Sequence, residues 1–149
     1  MPDYLSPLVC RWKEIIRERK ISDKLYSHVE LLKFVPNECN INSYFKAQKK
    51  PHFDDRNLSG PLLVNLSLLG RSRMTYLLPP DNQNLQNKEP ISVFLPRRCL
   101  QLVTGPARWN FMHMIHAIDV LDDRRVSVTW RQCGERSKGN HVYGSNTGI

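Results

Sequence analysis

The sequence predicts a mainly β single domain, a sandwich or open barrel, with a short helical cover at its N-terminus. Three observations lead there. The chain of 149 residues and 17.4 kDa has the size at which one core usually closes, roughly 100–200 residues. From residue 38 onward it is written in short runs of β-branched and aromatic residues separated by proline, glycine and polar turns. Those runs do not alternate with helix-length segments, as a parallel α/β fold would require.

Ser6-Pro7 reads as an N-cap followed by proline at the first helical position, and Leu8, Trp12, Ile15 and Ile16 then recur on one helical face up to Lys20. The apolar stretch 29–35 fits a strand and a helix equally, and Pro36 ends it. Eight candidate strands follow, at 39–45, 51–54, 62–69, 73–78, 91–95, 99–104, 111–120 and 125–132. A polar loop, Pro79-Pro80-Asp81-Asn82-Gln83-Asn84, separates the fourth from the fifth, and a Gly-, Ser- and Asn-rich tail follows the last. The expected organisation is a helical cover at 1–36, a β core at 37–132 and a flexible tail at 133–149.

Hydrophobic residues make up 40% and charged residues 24%, which excludes the low-hydrophobicity, high-charge signature of disorder. Lys plus Arg number 22 against 14 Asp plus Glu, a net charge of +8, so polyanions are electrostatically favoured partners. Cys10, Cys39, Cys99 and Cys133 contain no C-x-x-C pair, against a zinc knuckle or a disulfide scaffold and in favour of a reducing compartment. No run of about 20 apolar residues is long enough for a membrane span, and Met1-Pro2-Asp3-Tyr4 lacks the layout of a secretory signal. The expectation is an intracellular monomer of the nucleus or cytoplasm with no membrane partner.

In the last strand a period of two puts Arg125, Ser127, Thr129 and Arg131 on one face and Val126, Val128 and Trp130 on the other. The first strand likewise groups Asn40, Asn42 and Tyr44 opposite Ile41 and Phe45. A single polar face ordinarily meets solvent. Two in one small domain point to a polar-lined pocket.

Between these strands lies His52-Phe53-Asp54, whose i, i+2 spacing directs an imidazole and a carboxylate to one face with Cα atoms about 6–7 Å apart. Such a pair arises by chance in roughly a quarter of chains of this composition, so its partner decides its meaning. Met112-His113-Met114-Ile115-His116 offers two candidates, three apart and therefore on opposite faces of a strand. His113 shares its face with Phe111 and Ile115. With His52 and Asp54 it would complete the two-histidine, one-carboxylate triad of non-haem iron oxygenases. The plainer reading of His113 is a hydrogen-bonded core histidine. His116 is the competing ligand, and Asp55 faces away from the pair and reads as a turn residue.

Taken in order, Asn42-x-Tyr44, His52-x-Asp54, Gly105-x-x-Arg108-x-x-x-x-His113-x-Ile115 and Arg125-Val-Ser-Val-Thr-Trp-Arg131 resemble the AlkB family of Fe(II)- and 2-oxoglutarate-dependent dioxygenases over residues 37–132. Leu95-Pro96-Arg97-Arg98 is typical of AlkB homologues that act on proteins or whose substrates are poorly defined. The resemblance implies a double-stranded β-helix, a jelly-roll-like core that agrees with the eight strands. It further implies that His52, Asp54 and His113 bind Fe(II), that Arg125 forms a salt bridge with the distal carboxylate of 2-oxoglutarate, and that Tyr44 and Asn42 hydrogen-bond the same co-substrate. The charge argument stands apart from the family, since an inward-facing guanidinium in a polar pocket expects an anion. Arg131 is on the same face, but six residues along a strand is about 20 Å, so it ranks second.

The activity implied is oxidative demethylation, in which dioxygen and 2-oxoglutarate are consumed to hydroxylate an N-methyl group, releasing formaldehyde, succinate and CO2. The substrate would be a methylated nucleic acid or a methylated protein. Two departures bear on that choice. Only about 40 residues precede the first core strand, where the nucleic-acid demethylases carry a lid that reads a flipped base, and Ser127 stands where they often have Asn. Two other readings remain at this stage, a catalytically inactive or truncated AlkB-like binding module and a structural β-domain that binds no metal.

Overall fold

Trp12 and Ile16 decide where the N-terminal helix lies. In a computed structural model, which describes residues 3–22, 27–45, 50–80 and 89–134, helix α1 (Ser6–Arg19) buries Val9, Trp12 and Ile16, the face that the apolar spacing marks. Leu5, not Ser6, is its N-cap, and no side chain caps the end. The reason is that Asp3–Leu5 already form a 3-10 turn, so Leu5 enters with near-helical angles. At the other end Lys20 turns left-handed (φ 48°) and its N–H donates to the Arg17 and Ile16 carbonyls.

The stretch that fits strand and helix equally is helix α2 (His28–Leu32). Its signal is the capping box Ser27-x-x-Glu30: Ser27 Oγ accepts from the Glu30 N–H at 3.3 Å, and Glu30 Oε2 accepts from the Ser27 N–H at 2.8 Å.

Seven antiparallel strands follow among the described residues: β1 (Glu38–Tyr44), β2 (Ser59–Leu69), β3 (Ser72–Leu77), β4 (Ile91–Leu95), β5 (Leu100–Val103), β6 (Met112–Met114) and β7 (Arg125–Cys133). They form a four-stranded sheet in the order β1-β7-β2-β5 and a three-stranded sheet in the order β4-β3-β6, the two faces of a jelly roll. Of the eight expected segments, 51–54 is reduced to a single bridge, His52 to His113. Pro51 has no N–H to donate. Just beyond, Asp55 Oδ1 accepts from the Asn57 and Leu58 N–H groups at 2.8 and 3.0 Å, closing a turn. The expected strand 111–120 is a strand only at β6, gives way to a 3-10 turn at Ala117–Asp119, and ends in a single bridge from Val120 to Ser72. An unexpected short helix, α3 (Gly105–Trp109), joins β5 to β6. Most of the polar loop and the tail fall on 81–88 and 135–149, outside the described residues.

The hydrophobic core sits on the outer face of the larger sheet. Trp130, Val128, Val64 and Leu62 pack there against Trp12, Ile16, Leu31 and Phe34, with the Trp12 ring 6.4 Å from Trp130 and 5.9 Å from Phe34. Helices α1 and α2, with Phe34, therefore cover the sheet on the side away from its polar residues. Inside the roll the smaller sheet contributes an apolar face, Met74, Tyr76 and Ile115 with Leu95 and Val120. The larger sheet turns Asn40, Asn42, Tyr44, Arg125, Ser127, Thr129 and Arg131 toward it. That asymmetry makes room for a polar cavity between the sheets.

Gly70, between β2 and β3, packs against the backbone of Arg124 and Arg125. It has φ +75°, and a Cβ there would lie 2.2 Å from the Arg124 carbonyl oxygen. We expect Gly70→Ala to destabilise the chain by about 2–4 kcal/mol in a denaturant titration, from left-handed strain together with a backbone clash. The same clash would displace Arg125, the next residue.

Candidate metal centre

The backbone puts His52 and His113 side by side. The His52 N–H donates to the His113 carbonyl at 3.2 Å and the His113 N–H to the His52 carbonyl at 2.9 Å, which brings the rings to 4.6 Å between centroids. Asp54, two residues on, joins them: its Oδ2 is 3.8 Å from His113 Nε2. One ligand atom from each of His52, Asp54 and His113 lies within 4.8 Å of the others. His116 is not in the cluster; its backbone caps the turn at Ala117–Asp119.

The surroundings leave donor atoms of these groups available to a metal. His52 Nδ1 lies 2.9 Å from the Lys50 carbonyl, and a carbonyl only accepts, so Nδ1 is the donor there and Nε2 is the ring nitrogen left for a metal. Arg131 Nη2 donates to Asp54 Oδ1 at 2.9 Å, leaving Oδ2 on the side of His113. Arg131 also lies 3.7 Å from Glu38 Oε1. It thus stands at the metal end of the cavity, six residues from Arg125 at the other end, as the strand rise requires. Two imidazoles and one carboxylate on one side of a partly buried site suit a divalent transition metal with open positions.

The opposite end is built around Arg125, which is 2% exposed. Its Nη1 donates to Ser127 Oγ at 2.8 Å and its Nη2 to Ser67 Oγ at 3.3 Å. Tyr44, its cross-strand neighbour, places its ring 5.7 Å from Cζ. Among the described residues no carboxylate forms a salt bridge with Arg125, and its Nε is buried without a hydrogen-bond partner. Burial pulls its pKa below the ordinary guanidinium value. A buried cation held only by hydroxyls and an aromatic face is incomplete electrostatically, and a bound carboxylate would complete it.

The triad, Asn42, Tyr44, Arg125 and Arg131 all line one cavity of about 520 Å3. Thr129, from the polar face of the last strand, and Ile115, from the face of His113, line it as well, and so do Asn65, Met74 and Met114, which sequence reasoning passed over. Asn65 and Ser67 had a readable signal, being two polar residues at period two inside an apolar run. Asn65 accepts from Thr129 Oγ1 across the β2–β7 pair.

Residues 1–131 match the family model for the 2OG-Fe(II) oxygenase superfamily. No curated protein sequence matches the chain. Among solved structures, that of OsALKBH1 is similar with a TM-score of 0.57 and 19% identity, over 89% of this chain and 66% of that one. The crystal structure of CapF with inhibitor 3-isopropenyl-tropolone matches at a TM-score of 0.39 and 17% identity, over 62% of this chain and 23% of that one. The OsALKBH1 likeness agrees in fold with the AlkB resemblance of the motifs, and this chain spans just under two thirds of that homologue. Fe(II) and 2-oxoglutarate, the pair for which the superfamily is named, are what a His-Asp-His cluster and an uncompensated buried arginine suit chemically. On the extent of the family match the chain belongs to the 2OG-Fe(II) oxygenase superfamily.

Proposed function

We propose that this chain is an Fe(II)- and 2-oxoglutarate-dependent dioxygenase acting as an oxidative demethylase. The observation that carries this reading is Arg125, a buried cation without a counter-ion among the described residues, facing the same cavity as the His52, Asp54 and His113 cluster. In it, His52, Asp54 and His113 would hold the metal. Arg125, with Ser67 and Ser127 orienting its fork, would receive the distal carboxylate, and Tyr44 and Asn42 would hydrogen-bond the co-substrate. Arg131 holds Asp54 in one rotamer and adds positive charge at the metal end. Bound Fe(II) and 2-oxoglutarate supply oxidation of a C–H bond by dioxygen, with succinate and CO2 as co-products. The residues' own share is to bind, orient and keep water from the reacting atoms.

The net charge of +8 favours a polyanionic, methylated nucleic acid as substrate over a methylated protein, inside the nucleus or cytoplasm. No described helix is long and apolar enough to cross a membrane. Affinity for a nucleic acid should fall steeply between 50 and 200 mM salt, by about 10-fold or more, as counterions are released; a flat dependence would direct the search to methylated protein.

The decisive experiment is anaerobic titration of the protein with Fe(II) and 2-oxoglutarate, followed by visible absorption and then by succinate release on admitting air. We expect a metal- and co-substrate-dependent band. Its absence at saturation would return the chain to the class of binding modules.

A further inference from the structure

Arg108 is buried deep in the molecule, yet it lines no part of the metal cavity. It is 2% exposed and sits on α3, five residues before His113. Its Nη1 donates to the Asp54 carbonyl at 3.2 Å. Nη2 donates to the Asp55 carbonyl at 2.7 Å and to the Ser59 carbonyl at 3.1 Å, and Nε to the Gly60 carbonyl at 3.3 Å. One guanidinium thus ties together both ends of the turn that leaves Asp54 and enters β2. The Trp109 ring covers the cation, 4.4 Å from Cζ.

None of these acceptors is a carboxylate. A full positive charge has been taken from water and compensated by four carbonyl dipoles, which is costly unless the geometry is held closely. The backbone of 54–58 has little else to hold it before β2 begins at Ser59: 51–54 is a single bridge, not a strand, and the described hydrogen bonds within the turn are the two to Asp55 Oδ1 and one from the Ser59 N–H to the Asp55 carbonyl. Burial and the neighbouring charges of Arg131 and Arg56 oppose the protonated form, while Asp54 and Asp55 support it. A cation so placed is well suited to holding a loop and badly suited to anything that needs contact with a ligand.

We infer that Arg108 is a positioning residue for the metal centre, a clamp that sets the backbone of Asp54 and so the place of its carboxylate relative to His52 and His113. The inference rests on the metal-centre reading above. It assigns this residue, which touches neither metal nor co-substrate, a measurable share of metal affinity. Lysine keeps the charge but gathers its donors on one atom, so it cannot reach four separated carbonyls.

The test is Co(II) binding to the full chain, read from the visible absorption of the metal, beside thermal unfolding of the same samples. Arg108→Lys is expected to weaken Co(II) by about 10-fold or more. Ile16→Ala, in the core on the far side of the sheet, is the control; it should lower the melting temperature at least as much and leave Co(II) affinity unchanged. Trp109→Leu keeps the guanidinium and removes its cover, so it carries the test if Arg108→Lys does not fold; it should weaken Co(II) by about threefold. Undiminished affinity in Arg108→Lys, or in Trp109→Leu where that variant stands in, overturns the clamp alone, as does an equal loss in Ile16→Ala. A wild-type chain that takes up no Co(II) overturns the metal centre and the clamp with it.

Discussion

Arg125→Met should leave the ligand-free chain at least as stable as the wild type while removing its ability to bind 2-oxoglutarate. Both halves follow from one fact, that the buried guanidinium has no carboxylate partner among the described residues and one orphaned N–H. Replacing buried ionic groups by apolar residues of similar volume is often neutral or stabilising by about 1–4 kcal/mol. Here Ser67 and Ser127 lose a donor, which offsets part of the gain. The urea midpoint is therefore expected to stay level or rise. Against that, a buried arginine to carboxylate contact is worth about 3–5 kcal/mol when one partner is deleted, so 2-oxoglutarate affinity should fall by at least about 100-fold. A lower midpoint with undiminished affinity would show that Arg125 is structural and that the anion binds elsewhere.

The second large effect is expected at the triad. His52→Ala, Asp54→Ala and His113→Ala should each reduce metal affinity by about 100-fold or more and abolish metal-dependent succinate release, because a three-ligand site that loses one ligand loses both enthalpy and geometry. His116→Ala should keep most of both. Asp54→Ala carries an extra cost, since it also strips Arg131 of its 2.9 Å partner and leaves it the longer contact to Glu38. Of the three it should therefore destabilise the metal-free chain most, in the range of about 1–3 kcal/mol for a partly buried pair. Titration with Co(II) and chemical denaturation of the four variants separate these terms. Loss at His116 with retention at His113 would reassign the distal ligand.

Much of this site was legible as spacing. His52-x-Asp54 was legible as a pair of ligand types, although a single bridge and not a strand carries it. The period-two faces of 39–45 and 125–132 need only the alternation of a strand, and alternation survives whatever the rest of the chain does. The N-terminal helix was legible for the same reason at period 3.6, through Leu8, Trp12 and Ile16. The second helix could have been read from Ser27-x-x-Glu30, a local hydrogen-bonding motif. The reduction of 111–120 to a three-residue strand could not: apolar residues recur along the whole segment, around His113, His116 and Asp119, and only pairing with β3 at Thr75, Tyr76 and Leu77 determines where the strand stops. Arg108 was visible as a member of a motif but not as a clamp, since its acceptors are backbone carbonyls 48 to 54 positions away in the chain, and a carbonyl has no letter in the sequence.

By itself the sequence determined the β class, the polar faces and the identities of the residues that could bind a metal or an anion, because these depend on side-chain chemistry and on periods shorter than one element. Tertiary structure decided which side of the larger sheet the helices cover, which histidine joins Asp54, and that the two arginines of β7 stand at opposite ends of one cavity, Arg131 paired with Asp54 and Arg125 with no carboxylate. Those outcomes depend on pairings between strands far apart in the chain, whose register is set by the burial of Trp130 and Val128 on one face and not by any property of the arginines on the other.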